Sequence, residues 1–289
     1  MPIPFSPLRR RVLGAGVLLG AGIAAPGAVR AADAVAVAEV PAPVLRAPGI
    51  LKVAVYNDLA PFSDHGQGID ADLGAALAGK LGLKSALLPF DAGDDLGDDL
   101  RNMVWKGHYL GYGPADVMLH VPVDRMLMTA NPQVEIFAPY YVETVRLVRS
   151  AQAIPQFDGV DALTGKRIGV EKVSISGMVM LGEGGGRFRD QVHIYPSAIE
   201  ALQQLKAGAL DAVLATRAQI ESVMKGDPAF PLQEVAFDRL PRAGWAIGMA
   251  VRKDNLGLAR QLQAALNDLT ASGELRAIFG KYGVQALKA

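Results

Sequence analysis

Two patterns of apolar residues alternate along this chain. Largely apolar runs at Ile50–Val55, Ser85–Phe90, Val117–Leu119, Thr144–Val148, Arg167–Val170, Val192–Tyr195, Asp211–Ala215 and Gly244–Val251 read as strands. Val117–Leu119 lies between a Gly/Pro-rich loop and Pro122, the pattern of a strand buried on both faces. Between the runs, Leu73, Leu77 and Leu81 recur every four residues, and Ile199, Leu202 and Leu205 mark one face of a helix over 198–207 that Gly208 stops. Helices over 256–269 and 273–282 close the chain, whereas Met126–Val134 carries Pro132 and shows no period. Strands alternating with helices predict an α/β protein of two units, joined by strands near 143–149 and 245–252.

The sharpest change of polarity follows Leu119, where His120, Pro122, Asp124 and Arg125 end the strand. Ligands of open α/β sheets sit beyond the carboxyl ends of the strands, so a site is expected here. Asp70 and Asp72 fall in the first turn of a helix and read as dipole-favoured capping residues. The run Asp91, Asp94, Asp95, Asp98 and Asp99 reads as another solvated helix start, because its spacing lacks the alternating ligands, central Gly and distal Glu of a calcium loop. Gly182–Gly186 lacks the Gly-Lys-Ser/Thr of a phosphate loop and reads as a surface turn.

Composition narrows the chemistry. There is no cysteine, which removes disulfides and thiolate sites, and the four histidines lack metal-ligand spacing, so neither metal nor cofactor is expected. Basic and acidic residues both number 29. Four of the basic ones, Arg9, Arg10, Arg11 and Arg30, lie in an acid-free amino terminus. The remainder is mildly acidic and gives no electrostatic reason to bind nucleic acid. Arg9–Arg11, the short apolar stretch Val12–Ala25 and the small residues around Arg30 read as an export signal over 1–31, cleaved near Ala31, whose paired arginines also resemble a twin-arginine signal. Its apolar run is too short for a stable membrane anchor, and a periplasmic protein is expected. Residues 32–48, with Pro41, Pro43 and Pro48, read as a flexible leader.

In order along the chain, Pro61-Phe62, Gly68-Ile69-Asp70-Ala71-Asp72-Leu73, Ala115-Asp116-Val117-Met118, Ala138-Pro139-Tyr140-Tyr141, Gly165-Lys166-Arg167-Ile168-Gly169-Val170, Gly208-Ala209-Leu210-Asp211-Ala212-Val213, and Gly273-Glu274-Leu275 with Lys281-Tyr282-Gly283 resemble the motifs of bacterial family-3 extracellular solute-binding proteins. The resemblance runs from about Leu51 to Tyr282 and implies a type II periplasmic-binding-protein fold. Its two lobes would be 49–146 with 247–289, and 147–246, closing on a ligand about a hinge. It implies a monomeric, non-enzymatic receptor that captures a small polar or organic-acid-like ligand for an ABC importer. The candidate ligand contacts are Tyr56, Phe62 and Phe90 as walls, with His120, Arg125, Ser174 and Thr216 as polar groups. Arg125 is placed to grip a carboxylate with two hydrogen bonds. Thr216 stands where the family carries the Asp that takes an α-ammonium, a departure that argues against zwitterionic amino acids. Val121-Pro122, Asp124-Arg125 and Pro139-Tyr140-Tyr141 also resemble a subgroup that accompanies periplasmic quinoprotein (PQQ) alcohol dehydrogenases. That resemblance implies an accessory role, with Trp105, Tyr109 and Tyr112 as an exposed aromatic patch. An enzyme, such as the dehydratases that share the fold, would need a carboxylate to partner His120, and the sequence offers no evident one.

Overall fold

The computed structural model describes residues 42–237, 240 and 244–286. The predicted export signal lies outside them. Strand β1 (Ile50–Tyr56) leads into a small hairpin, β2 (Asp58–Leu59) and β3 (Ser63–Asp64), then α1 (Ile69–Lys80) and β4 (Lys84–Phe90). After α2 (Leu96–Leu100) come β5 (Val117–Pro122), α3 (Arg125–Ala130) and β6 (Val134–Glu143). The chain continues through β7 (Val145–Arg149), β8 (Ile168–Glu171), α4 (Ile175–Gly182), β9 (Val192–Tyr195), α5 (Ala198–Lys206), β10 (Ala212–Thr216), α6 (Arg217–Met224) and β11 (Leu232–Gln233). It ends in β12 (Trp245–Arg252), α7 (Leu256–Ser272) and α8 (Glu274–Lys281).

Two five-stranded mixed sheets result, in the orders β4-β1-β5-β12-β6 and β11-β7-β10-β8-β9. In the first, β1 runs parallel to β4 and β5, while β12 is antiparallel to β5 and β6. One face of this sheet packs Leu51, Val53 and Val55 against Leu73, Leu77, Leu262 and Phe279 of α1, α7 and α8. Its other face packs Ala54 and Met118 against Leu100, Met103 and Val104. The second sheet is likewise covered on both sides, by Val179 and Met180 on one and by Ala201, Leu202 and Ile220 on the other. Apolar cover on both faces explains why these strands appear in the sequence as unbroken apolar runs.

The chain passes from the first sheet to the second across Thr144, and returns at Trp245, which pairs with Glu143. The two crossings therefore lie side by side.

Two segments differ from expectation. Met126–Val134 contains α3, whose N-cap Asp124 accepts from the Leu127 amide at 2.8 Å; a helix of six residues is too short to show a period. The predicted leader is tied down from Val44 onward. Asn255 holds Val44 through both its side-chain atoms, and the buried Asp116 accepts from the amides of Arg46 and Lys52, each at 2.8 Å. The Arg46 guanidinium donates to the carbonyls of Ala115 and Val104. Asp116→Ala leaves two amides without their acceptor and should cost about 2 kcal/mol. Hydrogen exchange should quicken at Val44–Arg46; unchanged exchange there would show that Asp116 does not hold the segment.

Candidate functional site

Two bulges in the first sheet create its irregular carboxyl edge. Between matched pairs, the single residue Met249 of β12 lies opposite Leu119 and His120 of β5. Likewise Gly248 alone lies opposite Ala138, Pro139 and Tyr140 of β6. A side chain on Gly248 would meet the Phe137 carbonyl at 2.4 Å, so only glycine permits this approach. The bulged residues take left-handed backbone, φ 61° at His120 and 52° at Ala138. Such conformations are sparsely populated away from glycine and persist only where surrounding contacts hold them.

Those contacts form a closed ring of three side chains. The His120 amide donates to the Tyr140 hydroxyl at 3.0 Å, and that hydroxyl donates to Asp70 Oδ1 at 2.7 Å. Asp70 Oδ2 lies 3.2 Å from His120 Nδ1. Burial, then the charge of Asp70, holds the Tyr140 phenol well above its ordinary pKa, so it remains a donor. Asp70 is therefore not the solvated capping residue its place in the sequence implies. It is 1 % exposed, and α1 begins at Gly68 with no side-chain cap. Asp72 instead binds Lys281 and the Tyr282 hydroxyl, joining α1 to the end of α8.

Phe62 lies behind this ring. Its own ring stands 4.3 Å from His120 in edge geometry and touches the stacked pair Tyr141 and Phe279. It is buried, and acts as the support of His120 more than as an open wall. Phe90 is also buried, against Tyr56, whose hydroxyl donates to Asp99 Oδ2 at 2.9 Å. Burial raises the Asp99 carboxyl, against the donors Gly93 and Tyr56 that favour its charged form.

From the second sheet, Ser174 follows β8 and Thr216 ends β10, as the N-caps of α4 and α6. Ser174 Oγ donates to the Glu171 carbonyl and accepts from the Gly177 amide. Thr216 forms a capping box with Gln219, whose side chain also donates to Glu171 at 3.3 Å. Both hydroxyls were legible as polar groups at strand ends; their caps are what the sequence places there. Arg125 is exposed on the first turn of α3, and its side chain makes no ion pair among the described residues.

Glu143, which the sequence did not single out, links the two halves. It is buried, its carboxylate accepts from the Thr144 amide at 2.8 Å, and the Thr216 hydroxyl, the Ala218 amide and His120 lie near enough to favour its charged form. Desolvation outweighs these donors and pushes its pKa up to about 7. Thus a carboxylate does stand beside Thr216, but it arrives from β6.

Known proteins share this architecture. An ancestral cationic amino acid solute binding protein superposes with a TM-score of 0.63 at 19% identity, over 81% of this chain and 96% of that one. An ancestral arginine-binding protein bound to arginine gives 0.52 at 25% identity, over 81% and 98%. The fold is that of a type II periplasmic binding protein. A probable histidine-binding protein of Neisseria gonorrhoeae is 25% identical over 261 residues, covering 86% of this chain and 89% of that protein. No family model matches the chain. Within the type II periplasmic-binding-protein fold, the end of β6 meets the end of β10 and the start of α6 at Glu143, the end of β8 reaches α6 through Glu171 and Gln219, and His120 and Asp70 lie on the first-sheet side of that junction.

Proposed function

We propose that this chain is an exported solute-binding protein that captures a small amino-acid-like ligand between its two sheets and presents it to an ABC importer. The observation that carries this reading is that Glu143, at the chain crossing, meets the amino end of α6 and lies within electrostatic reach of the His120 that Asp70 and Tyr140 hold. A ligand touching both sides there would favour a closed arrangement by its differential contacts, and the crossings are the natural hinge. Relatives named for histidine, arginine and cationic amino acids support the ligand class. The exposed Arg125 belongs to the rim, not the core of the site.

Calorimetric titration of the mature protein with L-arginine, L-histidine and L-glutamate tests this. At least one should bind. His120→Ala should weaken it tenfold or more, and Arg125→Ala should change it less than twofold. A protein that binds none of these, and carries no small molecule from its native periplasm, would refute the reading.

One observation favours the accessory role beside a quinoprotein dehydrogenase. The loop between α2 and β5 exposes Tyr109 (88 %) and Leu110 (68 %), with Tyr112 stacked on His108 at a centroid distance of 4.1 Å. Large apolar side chains presented together mark interaction surfaces. Retention of a dehydrogenase by the native protein, lost in Tyr109→Ser/Leu110→Ser, would decide for that role.

A further inference from the structure

We propose that Asp70 is a positioning residue that fixes His120 as the Nδ1–H tautomer, leaving a bare Nε2 which, with the Glu143 carboxylate, selects a ligand by its N–H donors: an ammonium or guanidinium group. The selection of a ligand rests on the solute-binding reading; the positioning does not.

The hydrogen-bond directions in the ring leave one arrangement. The Tyr140 hydroxyl accepts from the His120 amide, and its single proton goes to Asp70 Oδ1. Asp70 Oδ2, an acceptor only, faces His120 Nδ1. In the neutral ring that nitrogen must carry the proton, and the hydrogen bond it makes sets the role of the other nitrogen. Nε2 has no partner among the described residues, on a ring left partly exposed. Ring rotation is opposed by the left-handed backbone at His120, which Tyr140 clamps, and by Phe62 against the ring. The Glu143 carboxyl lies within electrostatic reach of the ring. A bare imidazole nitrogen beside a carboxyl that a cation would ionise suits an N–H-rich cationic group and disfavours an anion.

The substitution Asp70→Asn tests the positioning without any ligand. Tyr140 must still donate, so it takes the amide oxygen and turns the amide nitrogen toward His120 Nδ1. That nitrogen must then accept, and the proton moves to Nε2. Removing the Tyr140 hydroxyl in Asp70→Asn/Tyr140→Phe frees the amide to flip, which returns the Nδ1–H form. Long-range ¹⁵N–¹H correlation of histidine-labelled full-length protein at pH 8, with His120 assigned from His120→Gln, reads this directly. The expected sequence is Nδ1–H in the native protein, Nε2–H in the single variant and Nδ1–H again in the double. A tautomer unmoved by Asp70→Asn would overturn the positioning role.

Titration with L-arginine and with glutarate, a dicarboxylate without N–H groups, reads the selection. L-arginine should bind, with at least a tenfold loss in Asp70→Asn and recovery in the double variant. Preference for glutarate would overturn the selection. Binding of neither would overturn the selection, while the tautomer series still decides the positioning and the three-ligand titration with the native-periplasm measurement decides the solute-binding reading.

Discussion

Gly244→Ala should destabilise the protein by about 3 kcal/mol or more, far beyond an ordinary glycine substitution. Gly244 has φ +74°, and a side chain built on it would stand 2.0 Å from the Glu143 carbonyl oxygen and 2.5 Å from Thr144 Cγ2. The left-handed conformation alone costs a side-chain-bearing residue about 1–2 kcal/mol. The overlap adds a cost that rotamers cannot relieve, because the nearest atom is backbone. That backbone belongs to the neighbouring crossing, where Trp245 pairs with Glu143, so relief requires the two crossings to separate. Gly208→Ala is the control: φ is +78° there, but the new side chain has open space within 4 Å. Urea denaturation should therefore show a loss near 1 kcal/mol at Gly208 and a much larger one at Gly244. Equal losses would mean that the crossings yield easily and that close approach at Gly244 does not constrain them.

Most of the framework was legible because its causes are local. Helix α5 occupies Ala198–Lys206 as its apolar spacing and Gly208 imply, and the two α/β units emerge from strands covered on both faces. Periodicity failed where an element is too short for its period to repeat, as in α3. It also failed at the site, for a different reason. Strict alternation along Leu119-His120-Val121 gives no hint that a bulge opposite Met249 will twist His120 toward α1. Asp70 stands where dipole-favoured acids usually stand, so its burial became visible only once Tyr140 and His120, 50 and more residues away, were in place. The carboxylate that His120 lacked in the sequence was Asp70 all along. Glu143 was hidden similarly: it ends a strand as an ordinary polar residue, and acquires its role because the chain crosses between sheets at the next position.

Glu143 also sets the second large effect, a pH-dependent one. Its carboxyl is 3 % exposed and its pKa rises from 4.5 to about 7, burial outweighing the donors Thr144, Thr216 and Ala218. A raised folded-state pKa means that the folded protein holds this proton more tightly than the unfolded chain. The resulting stability is complete below about pH 4.5 and is lost as pH rises through about 7. A shift of this size corresponds to about 3 kcal/mol across that window. Glu143→Gln has no proton to lose, so its stability relative to the native protein should climb between pH 5 and pH 8 and level off above. The amide has only one oxygen to serve the donors that the carboxylate serves, which lowers the variant by a constant amount at every pH; the slope is the readout. A ligand ammonium beside Glu143 would favour the ionised carboxylate, so binding of L-arginine near pH 7 should release protons. Titrations in buffers of different ionisation enthalpy measure that release, and Glu143→Gln should abolish it. A stability difference flat from pH 5 to pH 8 would show that Glu143 is already ionised in the folded protein, and that the amino end of α6 stabilises its charge more than burial opposes it.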